Sequence, residues 1–226
     1  MASTVRTERR PRKLWRTPNG ALLGAALVSS AIAWWMIAWP VATLANVAGH
    51  RGHFALTFAH MIGGSGMLWL GALNLYLAAR KDHYPLHRRV GQAYLAFGAF
   101  GAVVAMIVTL TPAHKPAGSV ILTSSTVSLL TLASAWLCFA ALGWRAALNR
   151  RFQSHGQWMV RSYVLVWSFV FCRIASRVVP IDGEAFIWLS WVGPLIVCEM
   201  VLQWPQGARS ARAPTRSQSS DDAARA

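Results

Sequence analysis

The stretch Val90–Pro112, VGQAYLAFGAFGAVVAMIVTLTP, contains no charged residue. A helix rises ~1.5 Å per residue, so about 20 such residues cross a ~30 Å hydrocarbon core. Five further runs have the same character, which gives six in all: roughly 21–48, 54–79, 90–112, 119–143, 157–179 and 185–204. The connections are short and carry Pro, Gly or charge. Trp15, Tyr84, Trp144, Trp158 and Trp204 stand at run ends, where amphipathic rings favour the headgroup level. Composition agrees. Of 226 residues, 55% are apolar and 13% charged, against roughly 25% charged in soluble domains. That excludes disorder for the bulk of the chain. The expected fold is an all-α polytopic membrane bundle of six transmembrane helices.

The formal charge is +15, from 22 Lys and Arg against 7 Asp and Glu, and its distribution fixes a topology. Arg6, Arg9, Arg10, Arg12, Lys13 and Arg16 precede the first run. Arg80, Lys81, Arg88 and Arg89 follow the second, Arg145, Arg150 and Arg151 follow the fourth, and Arg209, Arg212, Arg216 and Arg225 follow the sixth. The three opposite connections offer only Arg51 and Lys115, with the acids Asp182 and Glu184. The positive-inside bias therefore puts both termini in the cytoplasm. The excess charge also attracts anionic lipid, so the bilayer is the expected partner. A nucleic-acid partner is not expected, because no base-stacking aromatics interleave the basic loops.

Three parts follow: a basic cytoplasmic tail at 1–20, a transmembrane domain at 21–204, and a disordered basic tail at 205–226 rich in Ser, Ala, Pro and Arg. Ala31-Ile32-Ala33 after a basic start resembles a signal-peptidase site, but the apolar run continues to Ala48, which reads as an uncleaved anchor. Pro40 should kink that helix. Cys138, Cys172 and Cys198 form no C-x-x-C pair and read as small buried apolar residues.

Polar groups at membrane depth are costly and face the bundle interior. On the second run, His60, Gly64, Met67, Gly71 and Asn74 share one helical face, which His53 extends outward. The two glycines make a groove that suits either close helix packing or a flat cofactor with His60 as ligand. Gly91, Gly98 and Ala105 form a small-residue seam at intervals of seven on the third run. Arg161 on the fifth run and Glu199 on the sixth lie at equal depth and should form an ion pair. Arg173 has no acid at its own depth and suits an anionic group such as a propionate, unless it reaches outward with Arg177.

Seven histidines offer the plausible metal chemistry. His87 and His155 each sit just before a helix leaving the cytoplasmic face. His50, His53, His60 and His114 belong to the outer half. Two bis-histidine haem sites, one per leaflet, would produce this split, and so would two unrelated sets of interfacial histidines. There is no C-x-x-C-H, H-E-x-x-H, G-x-S-x-G, Walker or dinucleotide glycine motif. His87 followed by Tyr94, and His155 followed by Tyr163, form a weak internal echo of the kind a duplicated hairpin leaves.

Two stretches carry a resemblance. Leu86-His87-Arg88-Arg89-Val90-Gly91-Gln92-Ala93-Tyr94-Leu95 and His155-Gly156-Gln157-Trp158-Met159-Val160-Arg161-Ser162-Tyr163 resemble the signatures L-H-R-x-x-G-x-x-Y-L and H-x-x-W-M-x-R-S-Y of domain-of-unknown-function family 2306. The segment from His60 through Gly64 and Gly71 is similar to that family's second helix. The resemblance covers roughly residues 50–180. It implies a multi-pass protein of the bacterial cell (inner) membrane, with His60, His87, His155, Arg161 and Arg173 as the family-pattern polar positions. The membrane histidines are also loosely similar to those of two-haem b-type cytochromes. Those proteins usually carry two histidines per helix, two helical repeats apart, whereas Asn74 occupies that offset from His60.

The leading functional expectation is a b-type haem or related redox membrane protein. His87 and His155 would ligate the inner iron, and His60 with His53 or His114 the outer. Arg161 and Arg173 would balance propionate charge, and a quinone or another redox partner would exchange electrons. The alternatives are a non-enzymatic transport protein and an accessory subunit with a structural polar core. Whether the protein is an enzyme is left open.

Overall fold

The computed structural model describes residues 54–80, 84–111, 122–172 and 183–210 (side chains to Gln203), together with Val28, Ser30, Ala31 and Trp35. Five helices are delimited: α1 Phe54–Arg80, α2 Tyr84–Leu110, α3 Ser124–Leu148, α4 Phe152–Val166 and α5 Glu184–Ser210. No strand occurs among the described residues. Four helices are long and apolar enough to cross a membrane: Ala55–Arg80, Tyr84–Leu110, Ser124–Leu148 and Glu184–Gln203. The fourth, α4, is shorter because the Trp167 amide turns back to Val164 O at 3.1 Å, three residues away instead of four. Helix resumes over 168–172, so a tightened turn interrupts about 30 Å of helix. Of the first run, only four residues are described; Pro40, the N-terminal tail and residues 211–226 lie outside the described residues, whereas 205–210, expected as the start of a disordered tail, continue α5.

The helix ends differ from the runs in an informative way. Tyr84 opens α2 six residues before the expected start, with Pro85 in the first turn, where its missing N–H costs nothing. Apolarity alone sees only the lipid-buried part of a helix and misses its basic, interfacial first turns. The same effect carries α3 to Leu148. The reversal into α4 is made by Arg150 in the left-handed region, φ 56°. The amides of Asn149, Arg150 and Arg151 return to Arg145, Ala147 and Ala146, which caps the carbonyl end of α3. At the other end, Thr123 Oγ1 accepts from the Thr126 amide at 3.3 Å and starts α3.

The helices α1 to α4 close a ring in which each packs on the next and α4 returns to α1; α5 packs outside, on α3 and α4. Large apolar side chains face outward, among them Phe97, Phe100, Val103, Ile107, Ile196 and Val201. Asn74, Ser128, Ser162 and Ser168 are buried. Lipid accounts for that distribution, since no water has to be shielded from the outer face. Of the three free cysteines only Cys198 is buried; Cys172 is half-buried and Cys138 is exposed, so the expectation of buried thiols holds for one of them.

The backbones of α1 and α2 approach most closely where Gly63 meets Gly101, with no room for a Cβ between them. Of the expected seam of sevens, Gly91 and Gly98 pack closely, on α1 and α3, and Ala105 lines a cavity. Gly98 receives the Trp136 ring from α3, and Gly91 receives the Asn74 amide. Gly71 receives the Tyr163 ring, so this part of the expected groove on α1 is filled by protein.

A directed hydrogen-bond chain runs through the centre. Trp136 Nε1 donates to Tyr94 OH (3.3 Å), Tyr94 OH to Ser162 Oγ (3.0 Å), and Ser162 Oγ to Met159 O (2.9 Å). Tyr163 OH donates to Leu68 O at 3.2 Å. Tyr94 is 1% exposed, so Tyr94→Phe leaves two buried groups short of a partner. The expected cost is about 1–3 kcal/mol, read as earlier denaturant unfolding in detergent at unchanged helicity.

Candidate functional site

At one end of the ring α2 and α4 begin, and α1 and α3 finish. His87 is the fourth residue of α2 and His155 the fourth of α4. Both therefore lie inside their helices instead of just before them. Each imidazole reaches back to the preceding helix of its own hairpin. His87 Nδ1 lies 3.3 Å from Asn74 O, and His155 Nδ1 lies 2.9 Å from Gly143 O. A carbonyl oxygen can only accept, so Nδ1 carries the proton in each ring. In the neutral imidazole Nε2 is then a bare acceptor. Neither Nε2 has a hydrogen-bond partner among the described residues. The two ring centroids are 6.5 Å apart with planes at 88°. The structure thus brings together two histidines separated by 68 positions in sequence.

His60 lies near the opposite end. Its Nδ1 donates to Gly101 O at 3.0 Å, and its ring meets Phe169 edge-on at 5.4 Å. His53, His114 and Arg173 lie outside the described residues, so the second histidine pair and the propionate role of Arg173 concern positions that are not described.

The Arg161–Glu199 pair is present as expected from depth. Arg161 donates through Nε to Glu199 Oε1 and through Nη2 to Oε2 at 2.8 Å, a two-pronged contact joining α4 to α5. Gln203 supports the carboxylate at 3.3 Å, and the guanidinium lies 4.8 Å from the Trp158 ring centre. Two Arg161 donors are thereby committed within the protein. Side-chain exposures of 14% and 33% place the pair between surface and core. Arg161→Met strands a carboxylate and should cost about 1–3 kcal/mol, below the ~3–5 of a fully buried pair. Arg161→Met with Glu199→Met should recover most of that loss in a detergent melting experiment.

Two functional features were hidden from sequence reasoning. One is the pair of carbonyl acceptors on Asn74 and Gly143, because a backbone oxygen has no residue-type signature. The other is Asn74 Oδ1, which is buried without a hydrogen-bond partner among the described residues, beside Gly91. A polar residue at membrane depth was the available signal for it. No group of three or more His, Cys, Asp and Glu that could hold a metal occurs among the described residues. A tetrahedral zinc site of protein ligands is therefore not formed there.

Fold and site together define an all-helical membrane protein with a paired-imidazole end. The chain belongs to the family described as predicted membrane protein (DUF2306), whose model matches residues 57–202. His60, His87, His155, Arg161 and Arg173 all fall within that match. No match was found among curated proteins or among solved structures.

Proposed function

We propose that this is a six-span protein of the cell membrane, with both termini cytoplasmic, that holds haem b between His87 and His155 and takes part in electron transfer. The observation that carries the reading is the pair geometry. His87 and His155 stand at the same end of the bundle, and the Nε2 of each is without a hydrogen-bond partner among the described residues, so these two residues would be the ones to hold an iron. The ring centroids here are 6.5 Å apart. Metal-ligating histidines almost always give their second nitrogen to a fixed acceptor, which sets the tautomer. Asn74 O and Gly143 O do this for both rings. Haem iron held by two histidines supplies one-electron transfer at the metal. The protein orients both imidazoles, and Arg88, Arg89 and Arg145 offer positive charge at the same end for the propionates. A quinone or another redox partner would exchange the electron. The test is an optical spectrum of protein purified from haem-replete cells, oxidised and then dithionite-reduced. A Soret band that sharpens on reduction, with resolved α and β bands, is expected.

A second reading is a non-enzymatic transport or accessory protein with a structural polar core. The Trp136–Tyr94–Ser162 chain and the Arg161–Glu199 pair favour it, since both are complete without a ligand. Colourless protein from haem-replete cells would select that reading.

A further inference from the structure

At the end opposite the histidine pair, the helices surround a partly open cavity of about 190 Å³. His60 and Gly64 of α1, Thr109 of α2, Trp136 of α3 and Phe169 line it, with aliphatic side chains between them. Sites for drug-sized ligands occupy roughly 300–1,000 Å³, so a porphyrin is too large. A cavity of ~150 Å³ accepts benzene, so one substituted six-membered ring fits. Aromatic walls from Trp136 and Phe169 suit such a ring.

The chemistry of the wall narrows the ligand further. Gly101 O takes the His60 Nδ1 proton, so neutral His60 presents Nε2 as an acceptor, without a partner among the described residues. The Trp136 N–H is committed to Tyr94. Thr109 is the other polar lining side chain among the described residues. A trapped water wants two to four polar partners, more than the described lining residues offer beside His60 Nε2 and Thr109. A lipid acyl chain could fill the volume, but it has no proton to give. An apolar ring bearing a hydroxyl fills the space and satisfies the acceptor.

We propose that this cavity binds the ring of a lipid-soluble phenol or hydroquinone, with its hydroxyl donated to His60 Nε2. The inference goes beyond the haem reading and does not need it, because it concerns binding at the other end of the bundle.

Gly64 supplies a clean probe. A Cβ added there meets nothing within 4 Å, and Gly64 lines the cavity, so the side chain of Gly64→Leu starts into open space and takes up cavity volume. Wild type, Gly64→Leu and His60→Phe would be placed in phosphatidylcholine nanodiscs at pH 8. Each would be titrated anaerobically with tetramethylhydroquinone, and separately with tetramethylbenzoquinone, which has the same ring but no donor. Equilibrium dialysis would read binding above lipid partition. Wild type should bind the hydroquinone saturably and about tenfold more tightly than the quinone, roughly one hydrogen bond's worth. His60→Phe should bring the two affinities together, and Gly64→Leu should abolish the saturable component. Absence of saturable binding in wild type, equal affinities there, or unchanged binding in Gly64→Leu would each overturn the proposal. Should His60→Phe fail to fold by circular dichroism, Gly64→Leu and the wild-type preference still decide it.

Discussion

Protein carrying His155→Ala, purified from haem-replete cells, is expected to lack the Soret band that wild type carries. On the proposed assignment His155 would supply one of two ligands, and the remaining imidazole, His87, is held by a single hydrogen bond to Asn74 O. Removing an outer partner of a metal ligand already costs 10- to 100-fold in affinity, so removing the ligand should cost more. His87→Ala should behave the same way, and His60→Ala should leave the band in place, because His60 is bound to Gly101 O, two-thirds of the way along α2. Gly101 and His87 are about 21 Å apart along that helix. Loss of the band could also follow from misfolding. Free imidazole added to His155→Gly should restore the band if the protein is folded and lacks only the ligand. A band of wild-type intensity in both His87→Ala and His155→Ala would refute the assignment.

The second large effect is expected from one methyl group. A Cβ at Gly98 would overlap the Trp136 ring. That ring is 3% exposed and anchored by its N–H to Tyr94, so it cannot swing aside without breaking the central chain. Overpacking of this kind costs typically about 1–3 kcal/mol, occasionally more, and the lost hydrogen bond adds about 1. Gly98→Ala should therefore unfold at distinctly lower denaturant. Gly64→Ala should be neutral or stabilising by up to about 1 kcal/mol, since alanine is the better helix former and the space is open. Equal stability of the two variants would show that Trp136 is not tightly held.

These two glycines also show how far the sequence could be read. Both were legible as small residues on helix faces at membrane depth. Which one faces a ring and which faces a void depends on the rotation of each helix about its axis. That rotation is set by contacts between helices, not by spacing within one. Arg161 and Glu199 were easier, because two opposite charges in an apolar setting have few ways to be neutralised. The apolar runs at 54–79, 90–112, 119–143 and 185–204 correspond to the four helices able to cross a membrane, with ends misjudged where basic turns extend α2 and α3 and where the Thr123 cap delays the start of α3. The histidine pair was legible as two residues of one kind at one end of the bundle. Its meeting was not, because proximity arises from the ring of four helices. The carbonyls that fix both tautomers carry no sequence mark.

The placement of the two histidines bears on how the protein comes into being. Each imidazole is oriented by the helix preceding its own: His87 by α1, His155 by α3. Each hairpin can therefore prepare its half of the site as soon as it has inserted, before the other arrives. The halves face one another only once the hairpins have docked, which in membranes is a separate and later stage. A ligand gripped by both would then act as a clasp on an otherwise weakly driven association, and its free concentration would set how long the hairpins stay together. If haem is that ligand, its supply would govern the lifetime of the assembled protein.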